Sequence, residues 1–142
     1  MADDAKEVLV NTLKNSLKEV SSLIEPVSNG LASVSSDLRV EESEEVFRNL
    51  SNWLKALQSI YNFANELNRA IEQLGRMGID IRADYSSIWT DSRGILEEML
   101  AAFESKDWVT LCDLIEYEIV PLLSKGREQF YQLQEELEKL TV

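Results

Sequence analysis

Carboxylates three residues apart recur in this chain, at Glu41/Glu44, Glu42/Glu45, Glu104/Asp107 and Asp113/Glu116. On a helix that spacing puts both oxygens on one side of a turn, and hard cations such as magnesium take oxygen ligands. Glu42, Glu45, Asp113 and Glu116 are therefore the set that could hold a metal for hydrolysis of a phosphate ester. Local structure explains several of these acids without a metal. Glu41 and Glu42 precede Ser43, a good N-cap, so they do not share a helical face with Glu44 and Glu45. Asp107 stands before an apolar run and reads as a cap itself. With 26 acidic residues in the chain, such pairs also arise by chance.

The rest of the chemical inventory is short. There is no histidine, which removes histidine phosphotransfer, the Glu-x-x-His pairs of di-iron bundles, and Ser-His or Cys-His nucleophiles. There is no glycine-rich phosphate loop and no cysteine cluster for zinc. Cys112 is the only cysteine, and its place in an apolar stripe marks it as a small core residue rather than a nucleophile. No cofactor is expected.

The charge points the same way. The formal net charge is −12 and the pI about 4.4, which works against phosphate backbones and anionic bilayers. Neither nucleic acid nor membrane is expected as a partner. The opening residues MADDAKEV lack a basic region followed by an apolar run, so no secretory leader is expected. No apolar span approaches the length of a membrane helix. A cytoplasmic protein is the default expectation.

Hydrophobic periodicity supplies the elements that would carry these residues. Leu13, Leu17, Val20, Ile24, Val27, Leu31, Val34 and Leu38 alternate spacings of four and three, a heptad seam. It passes through Pro26 and Gly30 without a slip, predicting one helix over about 3–38 with a kink near the proline. Val46, Leu50, Trp53, Leu57, Ile60, Ala64, Leu67, Ile71 and Leu74 form a second seam, over about 43–74. A third helix is expected over about 82–104, with Gly94 a soft point inside it. The fourth, about 107–140, carries Trp108, Cys112, Ile115, Ile119 and Leu122 on one face, then Phe130, Leu133, Leu137 and Leu140. Gly78 to Ile81 alternates briefly, but nothing else in the chain could pair with it as a strand. Short connections make sequential helices antiparallel neighbours. The expected fold is all-α: one domain over 1–142, an up-down-up-down four-helix bundle whose first and fourth helices are kinked by Pro26 and Pro121.

The fourth helix is apolar on two sides. At about 100° per residue, Val109, Asp113, Tyr117 and Val120 fall opposite Ile115, away from the core stripe. Such a helix is either buried all round or touched by a partner. These four residues are the candidate partner-binding face, and the partner would be another protein or a second copy of this chain.

Two resemblances bear on this. The acidic pairs resemble those through which all-helical nucleotide pyrophosphatases bind magnesium. That family would imply a phosphohydrolase, but this chain lacks an obvious basic pair for the phosphates. The segment MLAAFESKDWVTLCDLIEYEIVPLL, Met99 to Leu123, resembles stretches of small, acidic, functionally unassigned helical proteins of Gram-positive bacteria. Asp107-Trp108, the Asp-Leu-Ile-Glu-Tyr-Glu run and Pro121 carry that likeness. It implies a bacterial helical protein and brings no site residues. The leading expectation is a non-enzymatic helical protein that binds another protein, as an adaptor, chaperone-like factor or self-associating unit. The rivals are the magnesium phosphohydrolase and a bundle that holds a ligand among Trp53, Trp89 and Trp108.

Overall fold

The computed structural model describes residues 2–140. Helix α1 spans Ala2–Val40 and α2 spans Glu44–Arg76. Then come α3 (Ser87–Asp91), α4 (Arg93–Glu104), α5 (Trp108–Leu114), a π-helical turn (Ile115–Ile119) and α6 (Val120–Glu138). No strand occurs among the described residues, and Gly78 to Ile81 is irregular chain. No helix among the described residues is long and apolar enough to cross a membrane.

The first two helices follow the seams closely. In α1, Leu13, Leu17, Ile24, Val27, Leu31, Val34 and Leu38 are all buried, and the helix runs through Pro26. Val20 is only half-buried. Ser43 caps α2 by accepting the Val46 amide at 3.3 Å, with Glu44 and Glu45 at the positive end of the dipole. Trp53 leaves its seam position half-buried, and Leu54 is buried next to it. The end of α2 is closed by Gly78 at φ 90°, where the Ile79 amide reaches back to the Leu74 carbonyl at 2.9 Å. Glycine adopts that left-handed conformation without strain.

The third helix differs from its expected span: it begins at Ser87 and is split at Ser92. The connection before it is held by side chains rather than by helix. Glu136 accepts the amides of Arg82 and Ala83 at 2.8 and 3.0 Å. Asp84 accepts the Ser87 amide and hydroxyl, and these bonds hold its carboxyl below the usual carboxylate range. At the split, the buried Ser92 hydroxyl bonds the Tyr61 hydroxyl and the Trp89 carbonyl. A serine that satisfies itself locally competes with helix continuation.

The fourth helix carries a correction of register. Leu123, not Leu122, is fully buried, so the core positions run Leu111, Ile115, Ile119, Leu123 in successive steps of four. On a regular α-helix each such step overshoots by about 40°, and three of them would swing Leu123 off the core. The π turn absorbs the surplus: the Val120 amide bonds the Ile115 carbonyl, five residues back. Pro121 follows directly, where its missing amide hydrogen is least costly.

Helix α1 packs along α2 on one side and α6 on the other, and its C-terminal part carries α5 and the π turn. The α3 segment rests on α6, and α4 on α5 and the π turn. The buried side chains of all these elements form one cluster. Its aromatic tier is Trp89 stacked on Phe130 at 5.2 Å, with Tyr61 and Phe63 edge-on.

Candidate functional site

The end of α1, the start of α2 and the turn between α4 and α5 meet at one end of the molecule. The helix termini explain how. Asp107 caps α5, accepting the Thr110 amide at 3.2 Å and its hydroxyl at 2.6 Å. Those bonds lower its carboxyl pKa. Before it, α4 closes as α2 does: Lys106 stands at φ 61°, and the Asp107 amide bonds the Ala102 carbonyl at 2.9 Å. Here a lysine, not a glycine, takes the left-handed position, at a cost of about 1 kcal/mol or more.

Across this end a polar strap joins α1 to α5 and the π turn. Arg39 donates from Nη2 to Asp113 Oδ1 at 2.7 Å and to Glu116 Oε2 at 3.0 Å, and from Nε to Glu116 Oε1 at 3.0 Å. The fully buried Ser35 adds a hydroxyl to Glu116 Oε1 at 2.8 Å. The guanidinium, then the serine, holds the Glu116 carboxyl below its usual range, and the Arg39 pKa is raised in turn. Cys112 is buried with its thiol 3.6 Å from the Ser35 carbonyl.

Two hollows flank Trp108. One, about 260 Å³, lies between the end of α1 and α5, lined by Leu38, Arg39, Val109 and Cys112. The other, about 480 Å³, is lined by Phe47, Phe103, Glu42, Glu104 and Lys106. Trp108 and Glu42 border both. The three rings of the larger hollow touch: Phe47 lies 4.9 Å and Phe103 5.9 Å from Trp108, centroid to centroid.

The residues singled out from the sequence divide into two groups. Val109 and Tyr117 are 67% and 72% exposed, Tyr117 standing in the π turn. Val120 is half-buried, and Asp113 is exposed but already bound to Arg39. Of the acids considered for a metal, Asp113 and Glu116 are drawn together by that guanidinium. Glu42 and Glu45 are exposed, Glu42 at the hollows. Among the described residues, no three acidic or cysteine side chains are grouped to hold a metal ion. Trp53, Trp89 and Trp108 do not share one interior: Trp53 covers Gly30, Trp89 covers Gly126, and Trp108 stands at the end hollows. Sequence reasoning did not single out Arg39 or Ser35. Arg39 falls in α1 only because the helix reaches Val40, and with Ser35 one turn before it meets the acids of α5 and the π turn.

This is an all-helical protein with one continuous core and a polar, aromatic end built from four helix termini. The family model that matches it is DUF8042, a domain of unknown function, over residues 15–129. The chain belongs to that family. No curated protein and no solved structure gives a match.

Proposed function

We propose that this protein is a non-enzymatic, single-domain up-down-up-down four-helix bundle that binds another protein, or a second copy of itself, through the outer face of α5, the π turn and the start of α6. The observation that carries the reading is Tyr117, 72% exposed on a helix whose opposite face fills the core. Val109 adds exposed apolar area two turns before it, and Val120 contributes the part it does not bury. Asp113 and Glu116, held by Arg39, form a rigid polar rim. An aromatic presented on a stiffened backbone loses little entropy on binding, and π turns often mark positions used for contact. A cytoplasmic, bacterial setting accords with the acidic composition and the resemblance noted above.

The test is sedimentation velocity on wild type and Tyr117→Ala, with circular dichroism alongside. Self-association, or association with a partner recovered by co-purification, should weaken by about 2 kcal/mol if Tyr117 is a central anchor, with helicity unchanged. Loss of the fold in Tyr117→Ala, or identical association, would count against it.

A further inference from the structure

We propose that the larger end hollow, walled by Phe47, Phe103 and Trp108 and rimmed by Glu42 and Glu104, binds an alkylammonium group. The inference concerns a different surface from the Tyr117 face and does not depend on it. Trp108, with Phe47 and Phe103 each against its ring, lines a space of about 480 Å³ that Glu42 of the α1–α2 connection and Glu104 of the α4 end also border. Ring faces carry negative electrostatic potential and attract a cation placed over them. Glu42, in the α1–α2 connection, and Glu104, at the end of α4, add formal negative charge at the mouth. A chain of net charge −12 draws cations to such a site from a distance and disfavours anions there. The methylene stem of an alkylammonium would meet the rings while its head meets the carboxylates, a match that neither a neutral alcohol nor a carboxylate offers.

Lys106 belongs to the same argument. It lines the hollow and sits in a backbone conformation that glycine adopts more easily. Its own ammonium is thus a neighbour, and a competitor, of any cation entering. Replacing it with glycine removes that positive charge without disturbing the turn.

The experiment follows the Trp108 indole N–H in proton–nitrogen correlation spectra, assigned with Trp108→Phe, as n-butylammonium is added, with 1-butanol as the neutral control of equal size. A saturable shift with the amine and not with the alcohol is expected. Binding should weaken about five-fold in the Glu42→Gln, Glu104→Gln double variant and tighten about three-fold in Lys106→Gly. Thermal unfolding of each variant checks that the fold is retained. A short peptide with a lysine flanked by glycines distinguishes the source. Tighter binding than n-butylammonium assigns the occupant to a protein side chain, and weaker binding assigns it to a free amine. Equal shifts with amine and alcohol, or no shift in either wild type or Lys106→Gly, would overturn the proposal. Since Tyr117→Ala should leave this titration unchanged, its failure and that of the helix-face reading are separable.

Discussion

Pro26 and Pro121 each lie inside a long helical run, and each is followed by a glycine about one turn on. A tryptophan covers each glycine: Trp53 lies over Gly30 and Trp89 over Gly126, each so close that an added Cβ would sit 2.2 Å from a ring carbon. The two stations nevertheless resolve the proline differently. In α1 the α-helix continues through Pro26 without a π turn. Ahead of Pro121 it widens into a π turn. Both prolines are exposed. What differs is the core. Around Pro26 the buried positions Ile24, Val27, Leu31 and Val34 keep alternate steps of three and four, whereas Ile115, Ile119 and Leu123, spanning Pro121, follow in two consecutive steps of four. The proline is common to both, and the spacing of the core residues decides whether the helix must widen.

The sharpest way to break the likeness is to fill the glycines. In Gly126→Ala the new methyl meets Trp89, which is 2% exposed and pinned between Phe130 and Tyr61. A loss of about 2–3 kcal/mol is expected. Gly30→Ala meets Trp53, which is half-buried and has solvent on one side into which to shift, and should cost about 1 kcal/mol. Urea unfolding of both variants decides it. Equal losses would mean that Trp53 is as confined as Trp89.

Those two tryptophans also show where the sequence stops being readable. Seams counted in threes and fours located α1 and α2 to within a few residues, because a buried helix face imposes its period on the chain. The same counting placed Leu122 in the core, since it assumed a constant period that the steps from Leu111 to Leu123 violate. The run of fours was visible, and it is the signal for a widened turn. The split at Ser92 was not legible, because the deciding contact is a hydroxyl on a distant helix, Tyr61. At the candidate site the acids Asp113 and Glu116 stood out, but their partners did not. Arg39 is 74 and 77 residues away from them, and no local pattern marks a contact of that range.

The ion contacts between α1 and the fourth helical run give a second, smaller contrast. Arg39 makes three hydrogen bonds to two carboxylates at one end, while Arg127 meets Glu25 at 3.2 Å, one residue before Pro26. Arg39→Met should lower the melting temperature more than Arg127→Met, and less than Gly126→Ala does. The Arg39 effect should also depend on pH. Because Glu116 has a lower pKa folded than unfolded, the native state binds fewer protons. The stabilisation is therefore complete above the ordinary carboxylate pKa and is lost as the pH falls through the lowered value. Wild type and Arg39→Met should thus converge in acid, as followed by thermal unfolding across the carboxylate range. A gap that stays constant in acid would show that Arg39 acts through its aliphatic stem rather than through Glu116.

The smallest expected effect comes from Pro121→Ala, and it tests the central claim. The new alanine brings an amide hydrogen that could restore an ordinary α-helical bond to the Tyr117 carbonyl. If the proline created the π turn, the helix would revert. Reversion, however, would rotate everything after the turn by one residue's worth, taking Leu123 from full burial toward solvent. Burying a leucine is worth about 1.5–3 kcal/mol, against about 1 kcal/mol for one more hydrogen bond. Phe130, Leu133 and Leu137, all fully buried on the same face, would move with it. The π turn should therefore persist in Pro121→Ala, with stability changed by less than about 1 kcal/mol. Removing Glu118, an exposed residue within the turn, should have the opposite outcome. Ile115 and Ile119 then stand three apart, the steps of four are broken, and a regular α-helix can hold the same core. Carbon chemical shifts and amide exchange across 115–121 report both outcomes. A regular helix in Pro121→Ala with Leu123 exposed would return the π turn to the proline and leave the core spacing as its consequence.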